Sequence, residues 1–310
     1  MSLLFVVGTR PELIKMAPVI REAQRRGTPF RFIHTGQHYS ENMDAVFFSD
    51  LGLPKPDVNL GVGSKPPGKQ TAEMLEKLEA YMQAEKPDVV IVQGDTNSVL
   101  SACLAASKLR IALAHVEAGL RSRDWRQPEE KNRIVADHLS DWLFAPSQRA
   151  ANHLAQEGLN ARTLITGNTV VDAVIQHREV AAQKSAILAR LGLTPQAYLL
   201  ATAHREEYVD DPARLNDVVS ALDQTAQKLA MPVVFPIHPR TQKRLDAFDI
   251  RVPSTIRTIS PLGYLDFLAL ESNAKLILTD SGGVQEEACI LGVPCVVLRE
   301  YSDRPESIDV

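Results

Sequence analysis

Three carboxylates and a histidine in this chain stand where acid–base chemistry would need them, each just after a short apolar run or at the start of a helical pattern. Asp95 lies in Gly94-Asp95-Thr96, Glu117 in His115-Val116-Glu117-Ala118-Gly119-Leu120-Arg121, and Glu129 in Pro128-Glu129-Glu130-Lys131-Asn132-Arg133. Carboxylates converging from three loops raise one another's pKa and can serve as bases toward carbon acids. Plainer readings stand beside this one. Asp95 can cap a helix beginning near Asn97. Glu129 and Glu130 suit the positive end of a helix. Glu117 is costly to bury alone, so Arg121 or His115 is expected to partner it. The strand period of two puts His115 and Glu117 on one side, and Arg133, a turn beyond Glu129, reaches toward the same pocket. His204, in Thr202-Ala203-His204-Arg205-Glu206, is the candidate acid or cation near neutral pH. His238, in His238-Pro239-Arg240, follows a later apolar run and is held below His204.

A second kind of chemistry is anion binding. In Thr279-Asp280-Ser281-Gly282-Gly283-Val284-Gln285-Glu286-Glu287 a strand ends, a small-residue turn follows and a helix begins. Free backbone N–H groups at such a turn cradle phosphate; the alternative is a turn kept small for helix–strand packing. Glu287, one turn in, can accept both hydroxyls of a ribose, and Arg304 can help neutralise a diphosphate. At the other end of the chain, Gly8-Thr9-Arg10-Pro11-Glu12 opens a helix, with Arg10 and Lys15 as cations near its start. This is not GxGxxG, so a nicotinamide dinucleotide is not indicated.

The bulk numbers narrow the classes. Net charge is −4 and 23% of residues are charged, which points away from nucleic acid and anionic membranes. An anionic ligand must then be held by a local basic cluster. Cys103, Cys289 and Cys295 each lie in an apolar run and read as small buried hydrophobes. No CxxC pair argues for zinc or a disulfide framework. Leu3–Val7 is too short to span a membrane and has no signal-peptide flanks, so a cytoplasmic protein is expected.

The elements that must position these residues follow from the apolar pattern. Runs at 3–7, 30–34, 89–93, 111–116 and 142–145 read as buried strands, alternating with helical patterns at 11–26, 69–84, 99–109 and 130–140. The alternation resumes with strands at 198–203, 233–237, 255–258, 276–279 and 295–298 and helices at 212–229 and 283–291. Near-continuous apolar strands alternating with helices indicate parallel sheets covered on both faces. The 310 residues accommodate about two domains at roughly 100–200 residues each. The boundary is placed after 169–177, giving an N-terminal domain over 1–173 and a C-terminal one over 174–310. A polar helical segment follows at 179–190, and 61–68 reads as a surface loop. The expected architecture is α/β: two doubly wound domains facing across a cleft, with ligands beyond the carboxyl ends of the strands.

Taken in order, the blocks GTRPELIKMAP (8–18), TGQHYS (35–40), QGDTNSVL (93–100), HVEAGLRS (115–122), PEEKNR (128–133), DHLSDWLFAPS (137–147), TGNTVVDA (166–173), AHREE (203–207), HPRT (238–241), PLGYLDFLAL (261–270), TDSGGVQEEA (279–288) and RPES (304–307) resemble the non-hydrolysing UDP-N-acetylglucosamine 2-epimerases. The resemblance covers nearly the whole chain. It implies two Rossmann-like domains of the GT-B kind and no redox cofactor or metal. It also implies C2 inversion by anti elimination of UDP, through a 2-acetamidoglucal, followed by re-addition. Asp95, Glu117 and Glu129 match the family's catalytic carboxylates, and His204 matches the histidine that assists the departing diphosphate. Arg10, Lys15, Arg133, Ser281, Gly282, Gly283, Glu287 and Arg304 match its nucleotide contacts. The expected ligand is a UDP-sugar and the expected assembly a homodimer.

Three departures stand out. Tyr208 replaces the family's usual Asn. The peptide after Gln37 and His38 reads Tyr-Ser-Glu-Asn-Met, which leaves substrate activation outside what the resemblance implies. The chain ends at Val310, short of the helical segment with which family members continue, so a more populated open form and low activity are expected. Three rival readings remain: a glycosyltransferase of the same fold, an epimerase of a modified UDP-hexosamine, and a catalytically weak UDP-sugar binder.

Overall fold

Most of the apolar runs become strands that are buried along most of their length. In β1 (Leu3–Val7) all residues but the first are buried, and in β4 (Val89–Gln93) all of them are, as strands covered on both faces must be. These and all that follows are taken from a computed structural model that describes residues 1–37, 48–299 and 305–307. The peptide after Gln37 and residue Arg304 therefore lie outside the described residues.

The chain divides into two units, Met1–Ala173 and Val174–Val310. In the first, β1 is followed by α1 (Arg10–Arg25), β2 (Phe30–His34), β3 (Val58–Asn59), α2 (Pro67–Glu85), β4, α3 (Asn97–Leu109), β5 (Ala112–Val116), α4 (Pro128–Leu139), β6 (Trp142–Ala145), α5 (Gln148–Gln156) and β7 (Thr163–Ile165). The strands form a seven-stranded sheet in the order β3-β2-β1-β4-β5-β6-β7, with every pairing parallel. Leu4, Val6, Ile33, Val90 and Val92 pack one face of it against Met74, Leu78 and Met82 of α2 and Ala102, Cys103 and Ala106 of α3.

A helix, α6 (Thr169–Lys184), begins in the first unit and continues into the second. The second unit then runs α7 (Ile187–Leu191), β8 (Leu199–Thr202), α8 (Glu206–Val209), α9 (Pro212–Leu229), β9 (Val233–Pro236), α10 (Pro239–Ala247), β10 (Ile256–Ile259), α11 (Tyr264–Asn273), β11 (Leu276–Thr279), α12 (Gly282–Leu291) and β12 (Cys295–Val297). Its five strands take the order β10-β9-β8-β11-β12, again all parallel. Leu199, Ala201, Val233, Phe235 and Leu278 pack with Leu215, Val219 and Leu222 of α9.

Each sheet reverses its strand order once, at the β1–β4 pair in the first unit and the β8–β11 pair in the second. Open α/β sheets bind ligands beyond the carboxyl ends of the strands at such points. Proline stands at the first or second position of α1, α2, α4, α9 and α10. There its missing N–H costs nothing and its fixed φ suits the helix.

Three expectations need correction. The polar segment at 179–190 is not one helix: α6 ends at Lys184 and α7 starts at Ile187. The helices α5, α8, α10 and α11 went unread in the sequence. Cys289 is exposed, and of the three cysteines only Cys103 is buried. Among the described residues no helix is long and apolar enough to cross a membrane.

Candidate active site

At the reversal point of the first unit, the loops after β1 and β4 are tied together through Glu12. Its carboxylate accepts from the Gly8 N–H at 2.7 Å and from Thr96 Oγ1 at 2.6 Å. Burial pushes its pKa up to about 7 against the pull of those hydrogen bonds. Gly8 is required here, because a Cβ would lie 2.0 Å from Ser98 Oγ and 2.3 Å from Thr35 Oγ1. The start of α1 is thus already occupied by its own acidic side chain. Of the two cations expected to make it an anion site, Arg10 is half-buried at the first helical position, whereas Lys15 turns elsewhere.

Lys15 pairs with Glu117. Its Nζ lies 2.7 Å and 2.9 Å from the two carboxylate oxygens, and both side chains are buried. Gln93, the last residue of β4, donates a further hydrogen bond to Glu117. The ion-pair partner of Glu117 is thus Lys15 where Arg121 or His115 was expected, and His115 reaches it only through its charge. The expectation that His115 and Glu117 share a side also fails. The strand period ends at Val116, and Glu117 adopts a left-handed φ of 69°. Its side chain goes to α1, while His115 goes to Asp137 on α4 at 2.7 Å.

Asp95, just past β4, is held by Arg133 of α4, whose Nε lies 3.2 Å from Oδ2 and whose Nη2 also donates to it. Asn132 donates to the Asp95 carbonyl at 2.9 Å. The helix cap is Thr96, not Asp95: the Thr96 Oγ1 accepts from the Val99 N–H at 3.4 Å. Arg133 also binds Glu130 at 2.9 Å. Of the adjacent glutamates at the start of α4, Glu130 is buried and takes the backbone N–H groups of Ser122 and Arg123 at 2.9 Å and 2.8 Å. Glu129 is exposed.

Behind these residues lies a chain of alternating charges that sequence reading did not assemble. Asp137 receives His115 at one oxygen, and Arg121 at 2.7 Å and the Gly119 N–H at 3.1 Å at the other. Arg121 in turn forks onto Glu157 at 2.8 Å and 2.7 Å. Burial opposes charge on the His115 imidazole, yet the hydrogen bond and charge of Asp137 outweigh it and raise its pKa. Burial works upward on Asp137 too, but His115 and Arg121 hold it below the usual carboxylate range.

At the reversal point of the second unit, the loops after β8 and β11 meet through Asp280. Its Oδ2 accepts from the N–H groups of His204 and Arg205 at 2.6 Å and 2.7 Å, and its Oδ1 lies 3.0 Å from His204 Nδ1. Burial pushes the Asp280 carboxyl up; His204 and the two backbone donors pull it further down, below its ordinary range. Asp280 was not singled out in the sequence, although its place between Thr279 and the Ser-Gly-Gly turn is the signal that could have found it. His238 caps α10, its Nδ1 accepting from the Arg240 N–H at 3.2 Å. Its ring centroid is 5.7 Å from that of His204, so the two histidines do line one place.

Ser281 caps α12, its hydroxyl accepting from the Val284 N–H at 3.5 Å, and Gly282 and Gly283 form the first turn. Among the described residues a Cβ on Gly283 would meet only Ser281 Oγ, at 3.8 Å. Packing within the unit therefore does not require a glycine there. Glu287, further along α12, is buried beside Glu271 of α11. Burial first, and then the neighbouring Glu287, raise the Glu271 pKa well above its ordinary value.

Comparison with known proteins extends the likeness over the whole chain. The family model for UDP-N-acetylglucosamine 2-epimerase matches residues 21–310. A UDP-N-acetylglucosamine 2-epimerase of Methanococcus maripaludis is 50% identical over 98% of this chain and 85% of its own length. The crystal structure of the Methanocaldococcus jannaschii UDP-GlcNAc 2-epimerase in complex with UDP-GlcNAc and UDP superposes with a TM-score of 0.95 at 48% identity, covering 100% of this chain and 87% of that one. A UDP-2,3-diacetamido-2,3-dideoxy-D-glucuronate 2-epimerase of Pseudomonas aeruginosa is 40% identical over 99% of this chain and 86% of its own length.

Proposed function

The chain belongs to the UDP-N-acetylglucosamine 2-epimerase family, and from that premise we propose that it inverts C2 of UDP-N-acetylglucosamine to give UDP-N-acetylmannosamine. The observation that carries the reading is the pair of carboxylates Asp95 and Glu117 beyond the ends of the adjacent strands β4 and β5, each held by a buried cation from a helix. Inversion by proton exchange must serve two faces of one carbon. A single base, which is all that glycosyl transfer to an acceptor asks for, does not meet that need.

In this reading a carboxylate of the set Asp95, Glu117 and Glu129 removes the C2 proton. The C–H pair forms the C1–C2 double bond as the C1–O bond breaks, and UDP leaves with its electron pair. UDP then adds back to C1 of the 2-acetamidoglucal while another group protonates C2 from the opposite face. The C2 proton is only weakly acidic, so much of the barrier rests on the leaving group. Preorganised donors aimed at developing charge are often the largest catalytic contribution. We assign that role to His204, oriented by Asp280, and to the backbone N–H groups of Ser281, Gly282 and Gly283. Arg10, Arg133, His238 and Arg304 are assigned to the substrate, and Glu287 to the ribose. Lys15 is assigned to holding Glu117 as well as to the nucleotide. A homodimer in the cytoplasm is expected on the family resemblance alone.

The test is turnover of purified protein on UDP-N-acetylglucosamine without an acceptor, followed by NMR of the anomeric protons. Appearance of UDP-N-acetylmannosamine supports the reading. Its absence, with turnover of a UDP-diacetamido-uronate, would favour the specificity of the Pseudomonas relative. UDP-sugar binding without turnover of either would leave only a binder.

A further inference from the structure

His115 lies wholly inside the first unit and touches no surface, yet both its ring nitrogens have partners. Nε2 lies 2.8 Å from the Gly94 carbonyl oxygen, and Nδ1 lies 2.7 Å from Asp137 Oδ1. A carbonyl oxygen has no proton to give, so Nε2 must be the donor on its side. On the other side the proton could in principle sit on either partner. Asp137 also faces the Arg121 guanidinium at 2.7 Å and the Gly119 N–H at 3.1 Å, and both favour its ionised form. Nδ1 is therefore a donor as well. A neutral imidazole carries only one N–H and would leave two acceptors facing each other in a buried place, which is costly.

The two contacts end at informative positions. Gly94 immediately precedes Asp95. Asp137, which His115 holds, takes the N–H of Gly119, two residues beyond Glu117. Gly119 itself has no latitude there: its φ is 84° and a Cβ would stand 2.4 Å from the Ala150 carbonyl oxygen. We propose that His115 is a permanent imidazolium that acts as a positioning residue, clamping the turn that carries Asp95 directly and the turn that carries Glu117 through Asp137. It touches no substrate. The proposal rests on the functional reading above for what the two turns do, but the charge state of the ring does not.

Among the described residues, the charged groups that face this ring are few. Asp137 comes from α4, with Arg121 and Glu157 behind it, and Glu117 comes from the end of β5. The Cys103 thiol of α3 lies within the field of Asp137, and burial first and then that carboxylate hold it protonated. Charge alternates along His115, Asp137, Arg121 and Glu157, so the cluster is neutral as a whole with the ring charged. Removing the ring's proton would leave one uncompensated negative charge in the interior.

The test begins with nitrogen NMR of histidine-labelled full-length protein without substrate. We expect both His115 ring nitrogens to remain protonated from about pH 6 to about pH 8, across the range where a free histidine loses its charge. A neutral ring with one protonated nitrogen at pH 7 would overturn the proposal whatever the activity. The second readout is His115→Gln, scored as kcat against KM and UDP affinity. Misplaced catalytic groups can cost on the order of 10²-fold in rate. We expect a kcat loss approaching that scale with UDP affinity unchanged, and a smaller further loss when His115→Gln is added to Asp95→Asn, because only the Glu117 turn is then left to misplace. Full kcat in a folded His115→Gln would overturn the positioning role. Where that variant fails to fold, the ring's charge in the unmodified protein still decides. An unmodified protein with no turnover sinks the functional reading, and is told apart because the ring is read without substrate.

Discussion

Glu117 combines a left-handed backbone with a buried side chain gripped by Lys15 and Gln93. Such a residue is fixed at some cost, and single-site chemistry has to be read with that in mind. Glu117→Gln, Asp95→Asn and Glu129→Gln each keep shape and remove a charge. Loss of a positioned acid or base typically costs about 10²–10⁴-fold in rate, and we expect kcat losses of that order with UDP affinity little changed. Glu117→Gln has a second consequence. Breaking a buried ion pair by removing one partner costs roughly 3–5 kcal/mol, so this variant should also show a lower denaturation midpoint. Adding Lys15→Met should restore much of the stability and none of the turnover. Full activity in all three single variants would show that the carboxylates were misassigned. Glu12 makes a separate prediction. Its pKa is raised from 4.5 to about 7 on folding, so the folded protein binds more protons than the unfolded chain between those values. Its contribution is present at low pH and is lost as pH rises to about 7. Urea denaturation at a series of pH values should show that slope, and Glu12→Gln should lack it; the same slope in both proteins would free Glu12 of the effect.

Among the elements, the start of α12 offers the cleanest separation of fold from ligand. Among the described residues a methyl group on Gly283 meets only Ser281 Oγ at 3.8 Å, and alanine is a better helix former than glycine. Gly283→Ala should therefore fold at least as well as the parent. If the N–H groups of this turn cradle the diphosphate at close range, the same methyl should weaken UDP binding measured by calorimetry. Unchanged UDP affinity in a folded Gly283→Ala would return the turn to a packing role. The strands of this fold were legible because parallel strands covered on both faces read as unbroken apolar runs; β1, β4 and β11 agree to the residue. β3 has two residues, and β7 has two of its three exposed, so neither leaves such a run. Residues directly after strands were also legible, because position alone selects them. Their partners were not. Lys15 reaches Glu117 across 102 positions, and no local spacing announces it. Glu129 and Glu130 both suit a helix start, so local spacing does not separate them; folding turns Glu130 inward and leaves Glu129 exposed.

For the molecule as a whole, a net charge of −4 offers no long-range pull on an anionic nucleotide, so affinity has to come from short-range donors at particular strand ends. Each unit carries its own sheet and core, and we expect UDP to act unevenly on them. A ligand at a hundredfold its Kd stabilises the state it binds by about 2.7 kcal/mol. Hydrogen exchange read by mass spectrometry should therefore slow most in the second unit, at the end of β8 and the start of α12. Slowing confined to the first unit would contradict the assignment of the nucleotide. The central claim is inversion by loss and return of the C2 proton, and the most direct measurement is to run the reaction in deuterated water. UDP-N-acetylmannosamine formed there should carry solvent deuterium at C2. Product formed with C2 still bearing its original proton would contradict the account and call for a route that never breaks that bond to solvent.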